Sequence, residues 1–228
     1  MKGRATSGGA LDYDFVTQDV DGTTSTVSGW SNPYPSDYTA GRLTLISDGS
    51  APIPSHVVQV MYPVGFASGI SPGEVDYAHT TASEYYVGFY FKISNPYQYS
   101  PSGHNKIAYF YTTNGREAVL EFNQGPPLTA FLVEYVSDAG GAEVDHAGTK
   151  ILALNTWYKF EFLMSWKASR LRWWVDGALD IDIPANLSAN AGTGVTNEHF
   201  SPTYGGGGPN KTEVDYVWYD HIHMSGLP

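Results

Sequence analysis

The sequence predicts an all-β protein, a jelly-roll β-sandwich of two antiparallel sheets. Three observations carry this. Short segments rich in Val, Ile, Tyr, Phe and Trp recur along the chain, with turn residues between them. Within those segments apolar and polar side chains alternate, so each has one face for a core and one for solvent. No stretch sustains the i, i+3, i+4 apolar spacing of an amphipathic helix. Composition agrees: 17 Tyr, 6 Trp, 25 Gly and 14 Pro suit strands joined by tight turns.

Residues 1–10 are small and polar and read as a flexible N-terminal arm; residues 11–228 read as one jelly-roll domain. "WSNPYPSDYTAG" is a turn-rich loop, and "HVVQVMYP" is a strand that leaves its ladder at Pro63. "SEYYVGFYFKIS" sends Tyr85, Val87, Phe89, Phe91 and Ile93 to one side and Tyr86, Gly88, Tyr90 and Lys92 to the other. "NKIAYFYTT" follows and ends in a turn at Asn114-Gly115; "REAVLEFNQ" and "LTAFLVEYVS" flank Gly125-Pro126-Pro127. "WYKFEFLMSW" alternates, and "LRWWVDGALDIDI" carries Asp176-Gly177 between β-rich halves, a hairpin signal. The glycine-rich stretch 190–211 reads as one long loop, a mobile wall beside a site. In the closing strand "EVDYVWYDHIHMSG", unbroken alternation sends Val214, Tyr216, Trp218, Ile222 and Met224 to the core. Glu213, Asp215, Tyr219, His221 and His223 then face outward.

With 12 Lys and Arg against 23 Asp and Glu, the formal charge is −11, so nucleic acid is a poor partner and a polyanionic substrate is disfavoured for the same reason, short of a local basic cleft. The absence of cysteine removes disulfides, thiolate catalysis and thiolate zinc sites. No run approaches the roughly 18 apolar residues of a membrane helix, so membrane insertion is not expected. The opening "MKGRATSGGALDYDF" shows no apolar signal-peptide core, yet a glycan-binding role places the protein outside the cell or on its surface. The sequence leaves the oligomeric state open.

The polar sides of the strands mix aromatic rings with hydrogen-bonding groups, which suits sugars: hydroxyls need directional partners, and pyranose faces stack on aromatic planes. The residues expected to contact a glycan are Tyr86, Tyr90, Lys106, Glu121, Asn123, Trp174, Tyr204, His221 and His223. This points to a carbohydrate-binding, lectin-like domain. A rival reading is a polysaccharide lyase cleaving uronate polymers by β-elimination, with Lys106, Tyr204 and His221 as its catalytic groups and His104 and Asn105 nearby. A third is a structural or adhesion module of a surface or virion protein. Hydrolysis would need paired carboxylates, for which Glu121 with Asp215 or Glu213 are the candidates, but no E-x-D-x-E strand occurs.

No cofactor is required by these readings. His221 and His223 have the i, i+2 spacing of two strand ligands, with Asp215, His199 or His104 as a third. Asp220 falls on the apolar side of its strand, where it either shares a structural calcium ion with an N-terminal acid such as Asp12 or Asp14, or caps a turn.

The stretches "YYVGFYFKISNPYQYSPSGHNKIAYF", "WYKFEFLMSW", "LRWWVDGALDID", "SPTYGGGG" and "VDYVWYDHIHMSG", spanning about residues 57 to 226, resemble the concanavalin A-like lectin/glucanase jelly rolls. Within that group the order of segments is similar to laminin-G-like modules and jelly-roll polysaccharide lyases. The resemblance implies the sandwich fold and a carbohydrate ligand. The R-[ST]-E-L and Q-[IV]-H stretches of the alginate-lyase members are absent, and of their "YFKAGxYNQ" strand only "FNQ" at 122–124 remains.

Overall fold

The computed structural model describes residues 11–13, 30–53, 56–123, 127–137 and 139–226. In chain order the elements are β1 (Leu11–Tyr13), β2 (Trp30–Ser31), α1 (Pro35–Thr39), β3 (Leu43–Ile46), β4 (Val57–Tyr62), β5 (Val75–Ala82), β6 (Glu84–Ile93) and β7 (Asn105–Thr112). They continue with β8 (Glu117–Phe122), β9 (Thr129–Glu134), β10 (Val144–Ile151), β11 (Tyr158–Ser165), β12 (Arg170–Val175), β13 (Ala178–Pro184), α2 (Leu187–Asn190), β14 (Val195–Phe200) and β15 (Asp215–Ser225). Two antiparallel sheets form, one ordered β13-β12-β11-β6-β15-β4-β3 with β1 on β15, the other β10-β9-β8-β7-β14-β5-β2. The architecture is the jelly-roll sandwich expected. Among the described residues no helix is long and apolar enough to cross a membrane.

Alternation within β6 sets the core as read from sequence. Tyr85, Val87, Phe89, Phe91 and Ile93 are all buried, facing Ile107, Phe110, Leu120 and Phe122 from the opposite sheet. Aromatic pairs bridge the layers: Phe89 meets Phe200 edge-on at 5.0 Å between ring centres, and Phe110 lies on Phe162 at 4.9 Å. Each such ring contributes about 1.5–3 kcal/mol by leaving water. The Asp176-Gly177 hairpin joins β12 to β13 with both residues at positive φ, +51° and +74°, as a two-residue primed turn requires.

Three strands carry too little apolar alternation to be read from sequence. β5 and β10 are "VDYAHTTA" and "VDHAGTKI". β14, "VTNEHF", lies inside the stretch expected as a single loop and pairs with both β5 and β7. Its Glu198 points into the core, where Oε2 lies 3.1 Å from His79 Nε2; burial pushes the carboxyl up and His79 partly offsets this.

The closing strand also departs from unbroken alternation. Asp220 pairs with Tyr90 and Ile222 with Phe89, leaving His221 as the extra residue of a bulge at φ +39°. The inward residues are therefore Val217 and Tyr219 before the bulge and Ile222 and Met224 after it, while Tyr216 and Trp218 turn outward, half-buried. Asp215, expected on the outer face, is fully buried.

Candidate functional site

The outer face of the seven-stranded sheet carries a cleft of about 590 Å³. Its floor comes from the residues of β7 and β14 that alternate with the core. In β7, a register shift between Lys106 and Ala108 turns both Ile107 and Ala108 inward, so Lys106, Tyr109 and Tyr111 all face the cleft. His199 of β14 sits directly opposite Tyr109 across the ladder. Its walls include Phe66 and Ile70 on one side, Ser201, Thr203 and Gly205 on another, and Arg42, which pairs with Asp37.

These side chains hold one another in place. The Tyr109 hydroxyl donates to Thr203 Oγ1 at 3.0 Å, and its ring lies nearly parallel to that of Tyr111. Burial pushes both phenols well above their usual range, so both are protonated at neutral pH. His199 Nδ1 lies 3.0 Å from Glu74 Oε1 and 3.2 Å from Asp76 Oδ1, while its Nε2 receives the Asn197 amide at 2.7 Å. Two carboxyl groups this close divide their protons unequally. Burial and the Glu74 charge push Asp76 up to about 9, whereas Glu74 is lowered by its bonds to His199 and neighbouring groups, which outweigh its burial. Glu74, Asp76 and His199 each offer a ligand atom, all within 4.8 Å of one another, and so have metal-ligand spacing. Lys106 differs from the other charged residues of the cleft. Its ammonium lies 5.5 Å from the centre of the Tyr109 ring and forms no ion pair among the described residues.

Lys106 and Gly206 also border a second space of about 160 Å³, lined by His104, Glu121, Val133, Tyr135 and Glu143. Glu121 faces Lys106 across β7 and β8. Its Oε2 is 2.9 Å from His104 Nδ1, and its buried Oε1 has no hydrogen-bond partner among the described residues. Burial holds this carboxyl at about 7, against the lowering pull of His104 and Lys106.

The loop between β14 and β15 closes the cleft through fixed contacts. Lys106 N donates to Thr203 O, Gly69 N to Tyr204 O, and Gly206 N to Ser102 Oγ. Gly205 has φ +53°, and a Cβ there would stand 1.7 Å from Ser100 Oγ. Further along, the fully buried Lys211 donates to Gln98 O at 2.6 Å and to Asp215 Oδ2 at 2.5 Å. The Tyr97, Tyr204 and Tyr62 rings surround it at 4.0, 4.2 and 4.7 Å.

The residues expected to form one glycan-binding face lie in different places. Lys106 lines the cleft, and Glu121 and His104 line the smaller space that Lys106 also borders. Tyr86, Tyr90, Trp174, His221 and His223 belong to the eight-stranded sheet, on the other side of the sandwich. There the Tyr86 hydroxyl donates to Glu161 Oε1, and its ring meets His223 edge-on. Asn123 accepts from Thr129 N and closes the β8–β9 turn. Tyr204 is buried in the Lys211 cage with its hydroxyl accepting from Gln98 Nε2, so it does not line the cleft. Asn105 is likewise buried, bonded to Ser100 N and Phe122 O. The lyase trio Lys106, Tyr204 and His221 is therefore not brought together.

The expected metal ligands are also separated. His199, on β14, and His104, just before β7, lie with the seven-stranded sheet, opposite His221 and His223 on β15. Asp220 is buried, with Oδ2 accepting from Ile53 N, as a capping carboxylate does. Asp14 lies outside the described residues. Sequence reasoning missed Tyr109, Tyr111 and Glu74, and named His199 only as a possible third ligand to a metal held by His221 and His223.

No protein-family model and no curated protein sequence matches this chain. Solved structures do match. Alginate lyase Aly36B superposes with a TM-score of 0.62 at 13% identity, covering 96% of this chain and 97% of its own; a variant of it in complex with alginate tetrasaccharide reaches 0.66 at 14% identity, covering 96% and 97%. The Crh5 transglycosylase gives 0.60 at 12% identity over 96% of this chain and 85% of its own. Alginate lyase A1-II', of polysaccharide lyase family 7, gives 0.55 at 12% identity, covering 79% and 82%. The fold of this chain is thus the jelly-roll β-sandwich that these structures share.

Proposed function

We propose that the protein is a polysaccharide lyase that cleaves a uronate-containing glycan in the cleft of the seven-stranded sheet. The observation that carries this is Lys106: on a strongly acidic chain, its ammonium stands without an ion pair among the described residues, in a cleft beside a protonated phenol and an oriented imidazole. A uronate carboxylate is the partner such a cation accepts. Structural similarity to an alginate lyase and to its complex with alginate tetrasaccharide supports the substrate class.

The roles follow from position. Lys106 neutralises the uronate carboxylate, which makes the proton at C5 more acidic and stabilises the enolate-like charge that builds as it leaves. His199, oriented through Nδ1 by Glu74, exchanges its Asn197 contact for substrate and takes that proton at Nε2. Tyr109 gives its phenolic proton to the glycosidic oxygen leaving C4, and a C4–C5 double bond forms. His199 and Tyr109 face each other across neighbouring strands, so base and acid reach one side of the sugar.

The test is digestion of uronate polymers followed by the ultraviolet absorbance of the new double bond. Absorbance should rise with the wild-type protein and fall about 100-fold or more in Lys106→Met and Tyr109→Phe, with both variants still folded. Retention on the polymers with no product would make the cleft a binding site without turnover. Unchanged turnover in both variants would refute the assignment.

A further inference from the structure

We infer that the small space beside Lys106 is a subsite for an uncharged or amino-bearing sugar, so that the substrate alternates a uronate with such a residue. This deepens the lyase reading and rests on it for the position of the uronate. Lys106 borders both spaces, so the sugar in the smaller one is the chain neighbour of the sugar whose carboxylate meets Lys106.

The smaller space asks its occupant for hydrogen-bond donors. Glu121 is almost wholly buried, yet its Oε1 has no hydrogen-bond partner among the described residues; Glu143 brings a second carboxylate, whose Oε2 takes the Tyr135 hydroxyl. His104 directs Nδ1 to Glu121, leaving Lys106 as the cation of the wall. Sugar hydroxyls, an amide N–H or an ammonium can donate to Glu121 Oε1. A second uronate carboxylate, which only accepts, would bring no donor to that oxygen and would set its charge beside the Glu143 carboxylate. At about 160 Å³ the space holds roughly five waters' worth of volume, enough for part of one sugar residue rather than a length of chain.

The experiment compares alginate and polygalacturonate, in which every residue is a uronate, with hyaluronan and unsulfated chondroitin, in which uronate alternates with an N-acetylhexosamine. Both double-bond formation and affinity electrophoresis are measured, for wild type and for the Glu121→Gln, Glu143→Gln double variant. The alternating polymers should be preferred about ten-fold or more in either readout, and the double variant should narrow that ratio by raising the response to the homopolyuronates. Equal or better use of homopolyuronates by the wild type overturns the inference and leaves the lyase reading standing. Absence of product from every polymer, with the affinity ranking intact, overturns the lyase reading alone; absence of both overturns both. Because Glu143 is exposed, Glu143→Gln by itself supplies a folded variant that should narrow the ratio in the same direction.

Discussion

Replacing Glu121 with glutamine should change how stability depends on pH. In the folded protein this carboxyl is held at about 7 by burial, against an ordinary value of 4.5. The folded state therefore binds the proton more tightly than the unfolded chain. The stability this supplies is fully present below about pH 4.5 and is lost as pH rises through about 7. The difference of about 2.5 units corresponds to about 3 kcal/mol. Glutamine keeps the shape and an acceptor for His104 Nδ1 but cannot ionise, so the variant should match wild type near about pH 4 and exceed it by about 3 kcal/mol near about pH 8.5. Urea denaturation of both proteins across that range measures the difference, in which groups common to both cancel. A difference that stays flat with pH would show that Glu121 is not a proton-holding buried carboxyl and would refute this reasoning.

Lys211→Met should cost about 3–5 kcal/mol in the same assay, because it strands the fully buried Asp215 without its cation; a loss below about 1 kcal/mol would mean that the pair is incidental. Trp174→Ala, on the opposite sheet, should leave glycan retention and turnover unchanged, as affinity electrophoresis and the double-bond assay will show. A ten-fold loss in that variant would relocate the site.

Legibility in the sequence followed hydrophobic contrast. β6, β11 and β12 alternate cleanly, and the core follows from them. β14 escaped because its inward Glu198 is tolerable only with His79 beside it, a partner from a strand that was itself unread. At the site, Lys106, His104 and Glu121 could be read because they precede the β7 bulge or lie on the regular β8. Tyr109 and Tyr111 could not: extending the Lys106 period would send them inward, and only the paired inward turn of Ile107 and Ala108 reverses it. The bulge at Asp220 and His221 acts in the same way on β15, exchanging Tyr219 for Trp218 as the buried ring before it. A bulge is a register event between two strands, and one strand's residue types do not announce it. The division of Tyr86, Trp174, His221 and His223 from Lys106 and Glu121 reflects sheet order, which joins strands distant in sequence and which alternation leaves open.

The loop that roofs the cleft is fastened at Gly205 and again at Lys211; the residues between, 206–210, are all exposed, and Gly206, Gly208 and Asn210 add surface bonds to Ser102, Ser68 and Gly65. The rim can therefore be lengthened or rewritten without disturbing the sandwich beneath it, since each doubling of such a span costs only about 0.6 kcal/mol. Those five positions are a natural insertion point for tuning which glycans the cleft admits. Segments transplanted there from other jelly rolls would inherit the same two anchors and the same floor.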